Sequence, residues 1–390
     1  MRILIVSAFS LKLNTSGTIQ NLIIIEGLKK LGYEIDVLTT ELAESHVAYD
    51  PTLSLENIDN YYELRLPNVY SSMRTSNKES VVTKRVKKII KRIYNELEVF
   101  DGYKGAIADL DSIDFKDVNY DYIISTSDPK SSHLIAKAFI DKYNLQSKMW
   151  IQYWGDPLYI DISRQRKKIL EARVKNAERL LLRDADKIIY ATPFTCDAQK
   201  KLYPEYQQKM DYATQGYWED YSRLEHSPNS KFTIGYFGNY NPNFRNIKPL
   251  YNAMSGLREE ELLIAGSGME LENKENISVL GYLNHQKIRE YENSCDLLVC
   301  ILNNRGTQIP GKVYYYASFK KPLLVVVDGD YGEKIKEFLG SRERYIFCEN
   351  QEDSIKNAIL EIKKNTYNNF NEISELLTPE YMAKRILKEM

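Results

Sequence analysis

Short apolar runs that alternate with loops and helical segments constrain this chain to an α/β fold, and two of them frame its most informative stretch. The runs at 296–302 and 323–327 are rich in Val, Leu and Ile, as buried parallel strands are. Between them lie a polar, Gly-containing loop (303–311) and a short helical segment (312–318). Ligands of open α/β sheets bind in loops that follow the carboxyl ends of strands. A helix N-terminus attracts an anion there, and Lys312 adds a full charge. The stretch is therefore either a phosphate-binding loop or an ordinary connection with a solvated lysine.

Length and composition exclude several classes of protein. At 390 residues the chain is too long for one comfortable core, so two domains are expected. A hydrophobic fraction of 43% argues against disorder. No uncharged apolar run approaches the roughly 18–20 residues that span a bilayer, and the first apolar run is too short for a signal peptide. The net charge of −1 disfavours nucleic-acid binding, which requires a basic face.

The cysteines and histidines form no recognisable site. The four cysteines include no CxxC pair, and the four histidines form no HExxH motif or Cys/His cluster. We therefore expect no metal site, and cysteines kept reduced in a cytoplasmic protein.

The N-terminal segment has the pattern of a βαβ unit. An apolar run at 2–9 is followed by a helical pattern that ends at Gly32 and by a second predicted strand at 33–39. Such a unit builds a parallel sheet with a right-handed crossover. It lacks the GxGxxG fingerprint, which disfavours NAD and FAD. Gly17, in the loop before the helix, either lets a phosphate approach closely or permits the turn.

A strongly basic helical pattern occupies 81–100. Its apolar residues share one helical face, and six basic residues fall within nine positions: Lys84, Arg85, Lys87, Lys88, Lys91 and Arg92. A basic amphipathic helix binds an anionic membrane surface. A solvated surface helix and a site for an anionic soluble partner fit the pattern as well, and the three interpretations stay open.

Two further predicted strands of the first half end in polar segments. The strand at 120–127 leads into a helix that carries His133, and the strand at 148–153 ends in Trp154, Gly155, Asp156 and Pro157. An aromatic face beside a carboxylate suits a sugar, whose C–H face stacks while its hydroxyls donate to the acid. Alternatively, Trp150 is a core residue, Asp156 caps the following helix and His133 is packed inside.

A second α/β pattern follows a polar linker and begins with a predicted strand at 232–238. Further strands are predicted at 261–265 and 277–283, and glycines lie in the loops that follow these strands. Arg245 and Lys312 each lie just beyond a predicted strand of this second half. They are a natural pair to neutralise a diphosphate, Arg as a fork and Lys as a point charge.

Taken in order, these segments resemble a GT-B glycosyltransferase of the large retaining family 4 type (glycosyl transferases group 1), whose members build bacterial polysaccharides and other glycans. The similar segments are TSGTIQNLIIIEGLKKLGYEIDVLT, GYFGNYNPNFRNIKPL, ELLIAGSG, ISVLGYLNHQKIREYENSCDLLV and GTQIPGKVYYYASFKKPLLVV. The resemblance implies two Rossmann-like parallel-sheet domains that face each other across a cleft. They would occupy 1–213 and 231–372, with a linker at 214–230 and a C-terminal helix at 373–390 that packs back on the first domain.

The resemblance also implies a UDP- or GDP-sugar co-substrate held mainly by the second domain, with no metal and no tightly bound cofactor. Arg245 and Lys312 would bind the pyrophosphate and, with Asp156, are the expected catalytic residues. The remaining expected donor contacts are Gly17, Thr18, Gly238, Asn239, Gly281, Tyr282, Thr307, Gln308, Pro310, Gly311 and Tyr315. The expected acceptor-side residues are Trp154, Asp156 and His133. Transfer would retain configuration by a same-face displacement, with cations and helix dipoles stabilising the leaving group.

The sequence departs from the family pattern at two positions. The family commonly carries two Glu residues with seven residues between them, and these positions fall at Thr307 and Tyr315 here. The donor-sugar contacts of the family therefore do not transfer to this chain, and Tyr315 becomes a candidate to stack on or hydrogen-bond the ribose. Loss of catalysis stays open.

The leading hypothesis is a cytoplasmic glycosyltransferase, peripheral on the inner face of the membrane, that acts on a glycan or lipid-linked glycan. A nucleotide-sugar or glycan binding protein without transfer, and a sugar-nucleotide epimerase of the same architecture, are the alternatives.

Overall fold

The computed structural model describes residues 1–53, 56–67, 98–115, 119–145, 149–162, 168–218, 230–341, 344–365 and 374–388. The chain divides into two compact units: a first unit of Met1–Thr214 with Met382–Met390, and a second unit of Gln215–Tyr381. The basic residues predicted to contact a membrane, Lys84, Arg85, Lys87, Lys88, Lys91 and Arg92, lie outside the described residues. None of the described helices combines the length and apolar character that a membrane crossing needs.

The first unit is built on a parallel sheet of seven strands in the order β3-β2-β1-β4-β5-β6-β7. The strands are β1 Arg2–Val6, β2 Glu34–Thr40, β3 Asn60–Leu64, β4 Tyr122–Ser127, β5 Met149–Trp154, β6 Lys187–Tyr190 and β7 Met210–Tyr212. The α-helices described in this unit are α1 Ser16–Lys30, α2 Ser131–Tyr143, α3 Lys168–Asp184 and α4 Pro193–Leu202, and the 3-10 helices are Gly102–Ser112 and Pro204–Lys209.

Continuous apolar strands place the core of the first unit on both faces of this sheet. In β1 the register sets Leu4 opposite Asp36 of β2 and Ile123 of β4. Because both faces are covered, the central strands carry buried residues at successive positions rather than in alternation.

The second unit repeats this architecture with six strands in the order β10-β9-β8-β11-β12-β13. The strands are β8 Thr233–Phe237, β9 Glu261–Ala265, β10 Ile277–Gly281, β11 Leu297–Ile301, β12 Leu323–Val327 and β13 Ile346–Glu349. The α-helices are α5 Lys248–Ser255, α6 His285–Ser294, α7 Lys312–Tyr315, α8 Gly332–Gly340, α9 Glu352–Lys364 and α10 Pro379–Leu387, the last of which continues into the first unit. Two short 3-10 helices lie at Tyr316–Ser318 and Glu375–Leu377.

The strand order reverses at the same place in both units. In each unit the first strand is the third in the sheet order and lies between the second and fourth strands of that unit. The chain therefore leaves β8 and β11 in opposite directions, and the loops that follow them, 238–247 and 302–311, flank a topological switch point. This is where a ligand is expected to bind in an open parallel sheet.

The predicted parallel α/β fold is confirmed, and several elements have the predicted bounds: Pro193–Leu202, Glu261–Ala265, His285–Ser294, Leu323–Val327 and Glu352–Lys364. The prediction missed β3 and β13, which are both edge strands. It also placed Gly17 and Thr18 in a loop, whereas α1 begins at Ser16 and holds both in its first turn. The Thr15 side chain caps that turn by accepting from the Thr18 N–H.

Candidate functional site

The two loops that flank the switch point of the second unit are hydrogen-bonded to each other. The Asn304 N–H donates to the Phe244 carbonyl at 2.9 Å, and Asn304 Nδ2 donates to the Pro242 carbonyl at 3.3 Å. Main-chain and side-chain bonds thus join 238–247 to 302–311. The two loops form one cluster, which we call the switch-point loops.

Arg245 lies within this cluster and connects its parts. Its Nη1 donates to the Asn239 carbonyl at 3.0 Å, and its Nη2 donates to Asn303 Oδ1 at 2.8 Å. Asn303, which is buried, in turn donates from Nδ2 to the Gln308 carbonyl at 3.3 Å. The Nε of Arg245 is buried and has no hydrogen-bond partner among the described residues. The guanidinium is therefore held in place while keeping donor capacity for an anion.

The close approach of these loops depends on Gly266, which follows β9. Its φ is 137°, and a Cβ at this position would lie 2.0 Å from the Gly238 carbonyl oxygen. A side chain is excluded on both counts. Glycine at 266 therefore fixes the path of the predicted donor residues Gly238 and Asn239.

Lys312 is docked on a buried carboxylate that the sequence did not reveal. Its Nζ donates to Glu292 Oε1 of α6, and the Tyr316 hydroxyl donates to the same oxygen at 3.0 Å. The Glu292 side chain is 6% exposed and that of Lys312 32%. Lys312 Nζ also lies 5.1 Å from the Tyr316 ring centroid. The ammonium is thus anchored on one side and open to solvent on the other.

The helix that follows the loop is shorter than predicted. The segment expected to be helical at 312–318 is one α-turn, α7, continued by the 3-10 helix Tyr316–Ser318. A helix this short has a small macrodipole. The attraction for an anion therefore comes from the Arg245 and Lys312 charges rather than from the helix, which corrects part of the sequence argument.

The other predicted donor residues of the loop are largely buried. Thr307 and Gln308 are each 6% exposed. A Cβ on Gly311 would lie 2.8 Å from the Tyr315 hydroxyl oxygen, so that ring packs directly over the glycine. Burial raises the pKa of Tyr315 well above its ordinary value. Pro310 begins the turn into α7, its carbonyl accepting from the Val313 N–H at 3.0 Å.

The residues predicted to approach a nucleobase lie at the end of β10. Gly281 has a φ of 70°, and an added Cβ would meet nothing within 4 Å. Tyr282 is 58% exposed. His285, three residues after Tyr282, packs against the distant Trp218 with ring centroids 4.0 Å apart, and the Arg289 guanidinium lies 5.2 Å from the indole. An exposed tyrosine and an open main chain leave this edge accessible.

In the first unit, close packing accounts for Gly17. A Cβ there would lie 3.1 Å from the Asp128 carbonyl oxygen. Thr18 is fully buried, its hydroxyl 3.1 Å from that of Thr15. Glycine thus allows the first turn of α1 to approach the loop after β4 closely. A phosphate contact for Gly17 and Thr18 stays a prediction.

Trp154 and His133 correct the expectation of a sugar-stacking surface. Both are fully buried, with ring centroids 4.2 Å apart. Trp154 Nε1 donates to Gln152 Oε1 at 3.1 Å, and His133 Nδ1 lies 2.8 Å from Ser125 Oγ. Burial, reinforced by the Lys130 charge, lowers the pKa of His133 to about 3. Neither ring presents a face to a sugar, because both are part of the core.

A buried ion cluster occupies the carboxyl end of β4 instead. Lys130, whose side chain is 1% exposed, donates to carboxylate oxygens of Asp128 and Asp161, the latter at 2.9 Å. The Asp128 side chain is 36% exposed. Asp156 lies on the loop after β5 and is half-buried. Its carbonyl accepts from Ser127 Oγ, at the end of β4, at 3.4 Å. The sequence analysis singled out Asp156 and missed the pair of Lys130 and Asp161, which are 31 positions apart and are joined only by the fold.

Comparison with known families identifies the domain that holds the switch-point loops. Residues 231–365 match the sequence model of the family described as Glycosyl transferases group 1. Most of the second unit is therefore similar in sequence to the glycosyl transferases group 1 domain. This range contains Arg245, Glu292 and Lys312. No curated protein sequence matches the chain.

Solved structures with the same fold cover the whole chain. Sucrose-phosphate synthase from Thermosynechococcus elongatus is similar with a TM-score of 0.59 at 14% identity, over 100% of this chain and 97% of that one. HepE from Anabaena in complex with UDP-glucose gives 0.58 at 11%, over 100% and 99%. UDP-GlcNAc 2-epimerase from Methanocaldococcus jannaschii gives 0.52 at 11%, over 100% and 99%. At such identities the likeness establishes the fold, which is GT-B. Together with the glycosyl transferases group 1 domain, it supports a transferase.

Proposed function

We propose that this protein transfers a sugar, with retention of configuration, from a nucleoside-diphosphate donor to a glycan or lipid-linked glycan. The observation that carries the proposal is the cluster of switch-point loops in a glycosyl transferases group 1 domain, with Arg245 fixed inside it and Lys312 beside it. A UDP-sugar donor is favoured, because the similar HepE structure holds UDP-glucose.

The chemistry follows from the two cations. When the bond to the sugar breaks, negative charge grows on the departing diphosphate, and fixed cations stabilise that charge without reorganising. The Glu292 carboxylate fixes the position of the Lys312 ammonium and offsets part of its charge. Arg245, which is bound to neutral groups, therefore supplies most of the net attraction for the diphosphate. In this account Asn303 is a positioning residue, since it holds the guanidinium against the loop.

The acceptor would be bound by the first unit. Asp128 and Asp156 are partly exposed carboxylates on the loops after β4 and β5, where sugar hydroxyls could donate to them. Asp156 keeps its proposed catalytic role on the acceptor side. Docking of 84–92 on an anionic membrane surface at the cytoplasmic face is part of the same proposal, supported by the charge of that segment.

Substituting Lys312 by Ala tests the phosphate assignment. We expect kcat/KM for the donor to fall by about 100-fold, because a cation close to the developing charge is lost. The matched control is Lys363→Ala. Lys363 pairs with Glu260 at 2.7 Å, with side-chain exposures of 36% and 4% that resemble those of Lys312 and Glu292. Steady-state kinetics should show near-normal turnover for the control, and near-normal turnover for Lys312→Ala would refute the assignment.

An epimerase is the second candidate, because an epimerase is among the similar structures. The two functions differ in their need for an acceptor. An epimerase converts the nucleotide sugar alone, whereas a transferase releases the nucleoside diphosphate in step with a glycosylated acceptor. Mass spectrometry and NMR of a donor panel, with and without glycan acceptors, separate them. Conversion to an epimer without acceptor would overturn the proposed transfer.

A further inference from the structure

Gln308 is a buried amide whose side chain is unused within the described part of the chain. It lies in the switch-point loops and is 6% exposed. Its carbonyl accepts from Asn303 Nδ2, which fixes the main chain. Neither Nε2 nor Oε1 has a hydrogen-bond partner among the described residues. The loop thus holds the residue in place and leaves both polar atoms of its side chain buried and unpaired.

An unpaired buried amide lowers the stability of the folded chain, so its position in the switch-point loops points to a ligand. A buried donor or acceptor without a partner keeps the full desolvation penalty of that group. In the same cluster, Arg245 Nε is also buried without a partner among the described residues, and Asn303 hydrogen-bonds to both residues. Three unpaired polar atoms therefore belong to residues that one asparagine ties together.

The chemistry of these atoms distinguishes two kinds of ligand group. The N–H of Arg245 complements a phosphate oxygen, which only accepts. The Gln308 amide offers a donor and an acceptor, and its acceptor needs a ligand group that carries a hydrogen. A sugar hydroxyl or acetamido group supplies both functions, whereas a phosphate does not. The segment 303–311 contains no Asp or Glu that could perform this reading instead.

We propose that the Gln308 side chain reads a hydroxyl or acetamido group of the donor sugar, next to the diphosphate held by Arg245. Gln308 is then a specificity-determining residue for the sugar part of the donor. The inference rests on the proposed function.

Gln199 provides the matched comparison. It is fully buried in α4, and its two amide atoms also have no partner among the described residues. It belongs to a helix of the first unit rather than to the loop after a strand. An unpaired amide alone therefore does not mark a site, and the position of Gln308 in the switch-point loops is what assigns it.

The test compares Gln308→Leu with wild type by calorimetry. The probes are UDP and GDP on one side, and UDP-glucose, UDP-N-acetylglucosamine and GDP-mannose on the other. We expect the affinity of Gln308→Leu for the diphosphate to stay within twofold of wild type. Its affinity for the matching nucleotide sugar should fall about tenfold, since two hydrogen bonds to a neutral group are lost. Gln199→Leu should change neither affinity.

Thermal unfolding without ligand distinguishes recognition of the sugar by Gln308 from a structural role of this residue. Removing an unpaired buried amide should leave the Tm unchanged or raise it, as at other sites where function costs stability. A clear fall in Tm, an equal loss for diphosphate and nucleotide sugar, or no loss for either would overturn the role of Gln308 and leave the proposed function intact. Wild-type protein that binds none of the probes would overturn both.

Discussion

His133 is buried against Trp154 beside the Lys130 charge, and this environment makes the first unit sensitive to acid. The pKa of His133 is about 3 in the folded chain, against an ordinary value of 6.5. The unfolded chain therefore binds the proton first, and the stability present above pH 6.5 is lost as the pH falls towards 3. Between pH 7 and pH 5 this loss amounts to about 2 kcal/mol in the free energy of unfolding.

The variant His133→Asn removes this titration. We expect urea unfolding curves at pH 7 and pH 5 to differ less for the variant than for wild type, even though the variant is less stable at pH 7. The control is His46→Asn, because His46 is only half-buried, on the loop after β2, and this substitution should change the pH dependence less than His133→Asn does. An unchanged pH dependence in His133→Asn would show that other groups produce it.

The site residues divide into those that local sequence reveals and those that only the fold reveals. The positions of Arg245 and Lys312 beyond the ends of β8 and β11 could be predicted, because each follows an apolar strand in a regular βα pattern; their contact with a diphosphate stays a prediction. Glu292 and Asn303 could not, since their roles depend on hydrogen bonds to residues 20 and 58 positions away. Trp154 was misread for a related reason, as a tryptophan at a strand end can point into the core or out of it.

Gly266, which follows β9, constrains the path of the switch-point loops. Gly266→Ala should destabilise the second unit by at least about 2 kcal/mol, because the left-handed backbone and the contact with the Gly238 carbonyl both exclude a Cβ. The control is Gly340→Ala in α8, where a Cβ meets nothing within 4 Å and the change should be neutral or mildly stabilising. Chemical denaturation compares the two variants. Equal stabilities would mean that the loops adjust to a side chain at 266.

The strands that the sequence failed to predict are explained by their place in the sheets. β3 and β13 lie at sheet edges and are only partly buried. A strand covered on both faces reads as a continuous apolar run, whereas an edge strand can carry polar residues, as NYYEL does. Central strands and the parallel fold could thus be predicted from hydrophobic runs, whereas β3 and β13 could not; the edge strand β10 was predicted because its sequence, ISVLG, keeps an apolar character.

At the level of the whole chain, the C-terminal segment returns to the first unit after the second unit is complete. Its side chains Met382, Ala383, Ile386 and Leu387 are buried. Lys187 Nζ donates to the Ile386 carbonyl at 2.6 Å, and Arg385 Nη2 donates to the Tyr212 carbonyl at 3.0 Å. The first unit, as the structure describes it, is therefore closed by residues that are distant in sequence.

Truncation after Tyr381 should accordingly weaken the first unit selectively. The loss should be on the order of 5 kcal/mol, from the exposed apolar area, and the Lys187 ammonium would lose its carbonyl acceptors. Limited proteolysis with mass spectrometry should then show faster cleavage within 1–214, while UDP binding measured by calorimetry changes little. Lys384→Ala, at an exposed position of α10, is the control and should resemble wild type. Faster cleavage within 215–381 instead would show that the segment stabilises the second unit, and the assignment of these residues to the first unit would have to be given up.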